Sequence, residues 1–406
     1  TPIFTLALDT KVGAERPTFQ LVDIAYEMAE QGSSVQEIIK TLDDAKDKII
    51  FYGEPDLRVN LGSSSSQVDV LRNVYSNAGY YLLSDSEPGV SSVYNEASLN
   101  SSNVLSREYH NSIAFIENEV ENPGKAGAIF FDKSLIENPN QKYSFTCPKP
   151  YNPQDEPANF RYVFAAKAPS YMALKVACSH PESVVSSNHR AVIPSSLASQ
   201  YYYTNEGEVD FNMNTTDEVY SFTFSLPNVT ATYAAVDYAY VSYRRQNDLE
   251  GLSQLRMSFL QVNQNTNFKI NNATENTVVW NVTSSTDVYP HKTSFSAADN
   301  TLIGSFDKTY TYASTDNACL IAFDPTRKLH QVEFVKELTN QNLHSEETPD
   351  MLIITNELCL PYAERLAQAH RDYQGMNVIV TLQDKIFNEF SSGTPSAMAY
   401  RRYLKI

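Results

Sequence analysis

The chain is poor in tryptophan, glycine and cysteine, and poorer still in positive charge relative to negative. One Trp, 13 Gly and 4 Cys occur in 406 residues. Cys147, Cys178, Cys319 and Cys359 are too few and too widely spaced for a disulfide-built scaffold. One or two bridges stay open, and the sequence implies no particular pairing. Lys and Arg total 31 against 48 Asp and Glu, a formal net charge of -17. That balance argues against nucleic acid and against anionic membrane surfaces, where binding depends on Lys and Arg neutralising phosphates. No apolar run approaches the ~18 residues of a membrane span, and nothing resembles a signal peptide, so an exported chain would already have shed its signal. No fixed-period repeat is evident, which argues against solenoids and propellers.

What is abundant points to strands. The chain holds 26 Tyr and 20 Phe, is 42% hydrophobic and only 19% charged. Aromatics favour pleated, half-buried surfaces, and with plentiful Asn, Ser and Thr this composition suits extracellular all-β proteins. The length suggests two or three domains. Asn-x-Ser/Thr triplets at Asn100, Asn214, Asn228, Asn272 and Asn281 would suit glycosylation, but an Asn- and Thr-rich chain forms them by chance.

Helical signals open the chain. Pro17, an apolar spacing from Leu21 to Ala29 and a stop at Gly32 predict one helix; Ser33 with Gln36 as a capping box, then Ile38, Ile39 and Leu42, predict a second. After a short strand at Ile49 to Gly53 come strand-like segments separated by Pro, Asn, Asp and Gly. Tyr220 to Leu226 alternates aromatic and hydroxyl residues, as a strand with one wet face does. Ala234 to Arg245 is apolar on both faces and is expected to be a central strand. Phe268 to Thr283 reads as a hairpin with Trp280 in its second arm.

From about Ser345 the pattern changes. Met351 to Thr355 and Met376 to Thr381 are short apolar strands flanking a helix with Pro361 at its start and Gly375 at its end, a βαβ unit of an α/β sheet. A last helix presents Ala397, Ala399, Tyr400, Tyr403 and Leu404, expected to cover a sheet with further strands beyond Ile406. The fold class is therefore multidomain and mainly β, with antiparallel β-sandwich domains and a short N-terminal helical segment, followed by the truncated βαβ start of an α/β domain. The expected boundaries are 1–135 (β-rich with two short helices), 136–344 (jelly-roll-like sandwich) and 345–406 (incomplete α/β domain).

Several stretches, NQNLH at Asn340 to His344, DMLIIT at Asp350 to Thr355 and NEFSSGTPSAMAYRRYLK at Asn388 to Lys405, with VDYAYVSYRR at Val236 to Arg245, resemble one family. Trp280 with NVT is similar to its Trp-Asp-Val-Thr motif, with Asn281 in place of the acid, and ENEVENPGKAG at Glu117 to Gly127 is similar to its Asn-Pro-then-Gly segment. The family is the sortases of the type IX secretion system of Bacteroidetes, relatives of the gingipain cysteine peptidases. The resemblance implies accessory β domains ahead of a gingipain-like α/β domain, in a protein that cleaves C-terminal secretion signals from cargo and joins the cargo to an anionic lipopolysaccharide. It implies as partners cargo proteins with their C-terminal signal domains and other attachment-complex proteins, no nucleic acid, and a place at the cell surface or outer membrane. The family's Cys-His dyad lies beyond this stretch, so no catalytic residue is carried over and the chain alone is expected to be inactive. A secreted gingipain-like protease fragment and a non-catalytic cell-surface binding module are the alternatives.

Tested for chemistry of its own, the chain offers little. Cys359 is expected to pack in an apolar slot between Leu358 and Leu360. His344 precedes the first α/β strand and is expected to close the linker. Cys178 and His180 lack the further ligands a zinc site needs. Glu206, Glu208, Asp210, Asn212 and Asn214 share one strand face, which is expected to be solvated because a straight strand spreads them too far to surround calcium. Arg244, Arg245 and Arg256 would suit an anionic partner, but pairing with the chain's many acids is favoured. No cofactor, catalytic residue or metal ligand is assigned.

Overall fold

A computed structural model describes residues 3–7, 48–53, 57–62, 67–73, 75–82, 105–123, 129–152, 156–168, 172–179, 182–189, 203–213, 218–227, 232–260, 262, 266–284, 287–306 and 317–406. The two expected N-terminal helices, His180 and the Asn100, Asn214 and Asn228 triplets lie outside them. The chain divides into two compact units, one of residues Val59–Asp69 and Ser92–Leu329, the other of Thr1–Arg58, Val70–Ser91 and His330–Ile406.

The first unit is built on an eight-stranded sheet in the order Tyr203–Phe211, Ala158–Lys167, Tyr233–Gln246, Tyr109–Glu117, Gln254–Phe259, Ala318–Phe323, Val278–Ser284, Asp287–Pro290. Tyr233–Gln246 is central, as its two-sided apolar pattern predicts, with antiparallel neighbours on both sides. A four-stranded sheet that includes Gln141–Thr146, Met172–Ser179 and Val219–Ser225 packs on one half of it. Period-two alternation turns Phe160, Tyr162 and Phe164 of the large sheet toward Phe145, Phe222 and Phe224 of the small one, all almost fully buried. Phe160 and Phe222 stack at 3.6 Å between centroids and Phe145, Phe211 and Phe224 meet them edge-on. Burying each such ring is worth about 1.5–3 kcal/mol. A second four-stranded sheet, including Thr266–Ile270 and Thr301–Ser305, closes the other half around Met257, Phe259, Phe268, Phe306 and Leu320.

Two sequence expectations are corrected here. Strand Tyr109–Glu117 pairs along its whole length with 238–246, so the boundary expected at 135/136 falls inside one continuous sandwich rather than between domains. The hairpin expected over Phe268 to Thr283 does not form. Thr266–Ile270 pairs with Thr301–Ser305 in the small sheet, whereas Val278–Ser284 pairs with Ala318–Phe323 in the large one. The connection between them passes from sheet to sheet, through Asn272 at φ +54, because both segments bury one face in the same core instead of pairing with each other.

In the second unit, strand Ile3–Ala7 pairs with Lys48–Tyr52 and with His330–Gln331. Met351–Thr355 and Val378–Leu382 form the parallel pair expected, joined by helix Leu360–Gln374. Gly375 ends that helix at φ +67, where its N–H and that of Met376 satisfy the Arg371 and His370 carbonyls. Helix Gln383–Phe390, unforeseen in the sequence, follows directly, and helix Ala397–Tyr403 packs on it. Part of what the last helix packs on therefore lies within the chain. Ala399 and Tyr403 are buried, and Tyr400 and Tyr403 meet Phe387 and Phe390 at 5.2 and 5.7 Å.

Candidate functional site

The C-terminal βαβ segment is the one place where the sequence pattern suggested an enzyme. Its entry is fixed by one carboxylate. Glu389, on helix Gln383–Phe390, accepts hydrogen bonds from the Leu343 N–H at 2.9 Å, the His344 N–H at 3.3 Å and the Gln341 side-chain amide at 3.0 Å, and contacts His344 Nδ1 at 2.6 Å. Burial opposes its ionisation, but the donations from Leu343, Gln341 and His344 outweigh that and hold its carboxyl below the usual range. The ring of His344 also packs on Phe390 at 4.9 Å. His344 is thus fixed to helix Gln383–Phe390 by Glu389, a partner 45 residues away that the sequence reading did not name. The buried Tyr403 hydroxyl meets that of Thr381 at 2.9 Å and donates to the exposed Glu346 carboxylate at 2.5 Å.

Cys359 corrects its expectation. It is exposed rather than packed, because it caps helix Leu360–Gln374 from a turn in which its N–H bonds Asn356 Oδ1 at 2.8 Å, and its neighbour Leu358 is 84% exposed. The two histidines of the segment have other partners. His344 is held by Glu389 and His370 by Gln374 at 2.7 Å. Cys147 and Cys178 form no disulfide and are buried in the aromatic core, where burial pushes the Cys147 thiol up to about 12.

Of the arginine candidates, Arg244 meets an acid as expected, whereas the acceptor shown for Arg256 is an amide. Arg244 pairs with Glu156 and stacks over Tyr109 at 4.7 Å, while Arg256 donates to Asn60 at 3.2 Å. Arg245 instead faces inward opposite His110, with its buried Nε lacking an acceptor. Glu206, Glu208, Asp210 and Asn212 are exposed along an edge strand, a solvated row. The sequence reading missed a tighter acid group. Glu117, Glu119 and Asp237 bring a carboxylate oxygen each within 4.8 Å of one another. Register pairing sets Glu117 opposite Tyr238, and an irregularity between Val236 and Tyr238 places Asp237 beside it. Burial, together with repulsion from Glu117 and Glu119, pushes Asp237 up to about 7. An all-carboxylate set suits a hard cation, although three oxygens are half of what calcium takes. The only available signal was an acid inside an otherwise apolar central strand.

Together these features define a β-sandwich region followed by a βαβ segment of α/β type. Residues 344–406 match the profile of Peptidase family C25. Across 88% of this chain the fold is similar to that of dimeric latent PorU from Porphyromonas gingivalis, with a TM-score of 0.72 at 20% identity. The chain spans 33% of that protein's length. Both findings agree with the resemblance carried by the sequence motifs. A family 35 carbohydrate-binding module from Clostridium thermocellum, 12% identical, aligns over 32% of this chain and 90% of its own at a TM-score of 0.20. The globular domain of zebrafish complement 1qA, 13% identical, aligns over 34% of this chain and 94% of its own at 0.17. Scores that low carry no argument. No curated protein sequence matches the chain.

Proposed function

We propose that this chain is the N-terminal region of a type IX secretion sortase-like cysteine peptidase. The observation that carries the reading is the continuity of a family C25 match at 344–406 with a β region sharing the fold of PorU. In this reading the sandwich is an accessory and positioning region that holds cargo proteins, their C-terminal signal domains and attachment-complex partners at the outer-membrane surface, with an anionic lipopolysaccharide as the acceptor. The nucleophile is supplied by a part of the catalytic domain outside this chain. A thiolate beside an imidazolium attacks the scissile carbonyl and expels the signal peptide's amine. The acyl-enzyme then passes to an acceptor amine instead of water. Keeping water from that intermediate is what distinguishes a sortase from a protease, and a rigid region that positions the acceptor favours it.

The test is removal of the gene from the bacterium that encodes it, followed by mass spectrometry of its exported proteins. Accumulation of proteins that keep their C-terminal signals is expected. Normal signal removal in the deletion strain overturns the proposal and turns the search to what the β region binds. The isolated chain is expected not to hydrolyse fluorogenic peptides.

A further inference from the structure

Strand Tyr203–Phe211 is an edge of the eight-stranded sheet. Among the described residues it pairs on one side only, with Ala158–Lys167. Its exposed row of Glu206, Glu208 and Asp210 lies on the face opposite the aromatic core, into which Phe211 turns. Glu208 pairs with Arg161, and Asp210 accepts from Asn159 Nδ2 at 2.7 Å. Glu206 is solvent-facing, with no cation on it among the described residues.

Beside the row runs a groove of about 320 Å³ lined by Arg161, Glu206, Glu208, Tyr238 and Tyr240. The Tyr238 ring lies near-parallel to Phe115, with centroids 5.6 Å apart at 29°, and to Tyr240, 6.4 Å apart at 20°. Tyr238 also feels the charges of Asp237, Glu206 and Glu117. Tyrosine faces attract ammonium and guanidinium groups, and more so where carboxylates surround them.

A row of like charges on an open edge opposes self-pairing, since a second copy would set acid against acid. The same spacing favours a strand of opposite sign. We propose that this edge and groove take an extended polypeptide segment carrying Lys or Arg at alternate positions. Its main chain adds to the edge of the sheet, its basic side chains meet Glu206, Glu208 and Asp210, and one of them lies over Tyr238. The proposal stands on the sheet edge and is independent of the peptidase reading.

The experiment is fluorescence anisotropy of the full chain with a labelled Thr-Lys-Thr-Lys-Thr-Lys-Thr peptide at fixed ionic strength. Saturable binding is expected, weakened several-fold by Glu206→Gln and abolished by Glu206→Lys. A peptide of the same composition with its lysines adjacent should bind more weakly, and Glu333→Gln, an exposed acid of the other unit, should change nothing. Absence of binding overturns the proposal. So does equal weakening by Glu206→Gln and Glu333→Gln, which marks non-specific attraction to an acidic chain. Binding of maltoheptaose that Tyr238→Ala removes and Glu206→Gln leaves intact, with no peptide binding, also overturns it in favour of a sugar platform.

Discussion

The sandwich and the C-terminal βαβ segment solve burial differently. In the sandwich, facing sheets supply both halves of each core, so Phe160, Phe164, Phe222 and Phe224 have no exposed surface. In the βαβ segment every residue of Met351–Thr355 is half-buried, and helix Leu360–Gln374 buries only Ala363 and Ala367. Tyr362, Leu366 and Tyr373, four and seven residues apart along that helix, are exposed instead, as is Leu358 just before it. The first region is held by aromatic packing. The second has a smaller apolar cluster around Ile386, Phe387, Phe390 and Tyr403, to which polar bonds such as the Glu389 clamp are added.

The sharpest way to break this contrast is to hollow out the sandwich. Phe160→Ala should cost about 3–5 kcal/mol, since it leaves a cavity beside the stacked Phe222 ring. Urea unfolding followed by tyrosine fluorescence would show it, and a loss under ~1 kcal/mol would mean the core relaxes in a way the packing does not suggest.

Next, Glu389→Gln should loosen the segment, at a cost of roughly 1–3 kcal/mol for the donors left unpaired. Limited proteolysis should then cut faster within 332–342, where Phe334 and Val335 are already 76% and 67% exposed. Because the Glu389 carboxyl is held below its unfolded value, its contribution is present above the ordinary carboxylate range and lost as pH falls through the folded value. The clip should accelerate on acidification, and a rate independent of pH would remove Glu389 as the clamp.

The sandwich should respond to pH with the opposite sign. Asp237 is raised to about 7, so the stability it contributes is complete below its unfolded value and is lost as pH rises through about 7. Asp237→Asn should erase that decline and raise the alkaline melting midpoint. A variant that melts as the parent does at every pH would show that the three carboxylates do not couple. The smallest effect belongs to Ser396→Ala, which removes the cap that accepts from the Met398 N–H at 3.2 Å. A cost of about 1 kcal/mol, read as faster amide exchange in 397–403, is expected.

Much of this was legible. The central strand, the alternating strand at Tyr220, the βαβ unit and the Pro361 and Gly375 punctuation all follow from local periodicity and backbone preference. The structure added Ser221 to the buried set, because its hydroxyl bonds that of Ser144 at 2.9 Å across the strand pair. Helix Gln383–Phe390 escaped notice, since its buried Ile386, Phe387 and Phe390 fill less than three turns and start directly from a strand. Cys359 was misplaced because an apolar flank in sequence says nothing of a turn that lifts it into solvent.

By itself, the sequence determined the grammar of this protein: aromatic alternation makes strands, a capped apolar stripe makes a helix between two apolar runs, and an acid excess turns it away from polyanions. Those properties live within a few residues of each other. Only the tertiary structure decided that Tyr109–Glu117 joins the strand 120 residues or more beyond it, that Glu117, Glu119 and Asp237 share one corner, and that Glu389 holds His344. Such pairings depend on which sheet edges meet after collapse, a choice made by the summed burial of many side chains rather than by any local pattern.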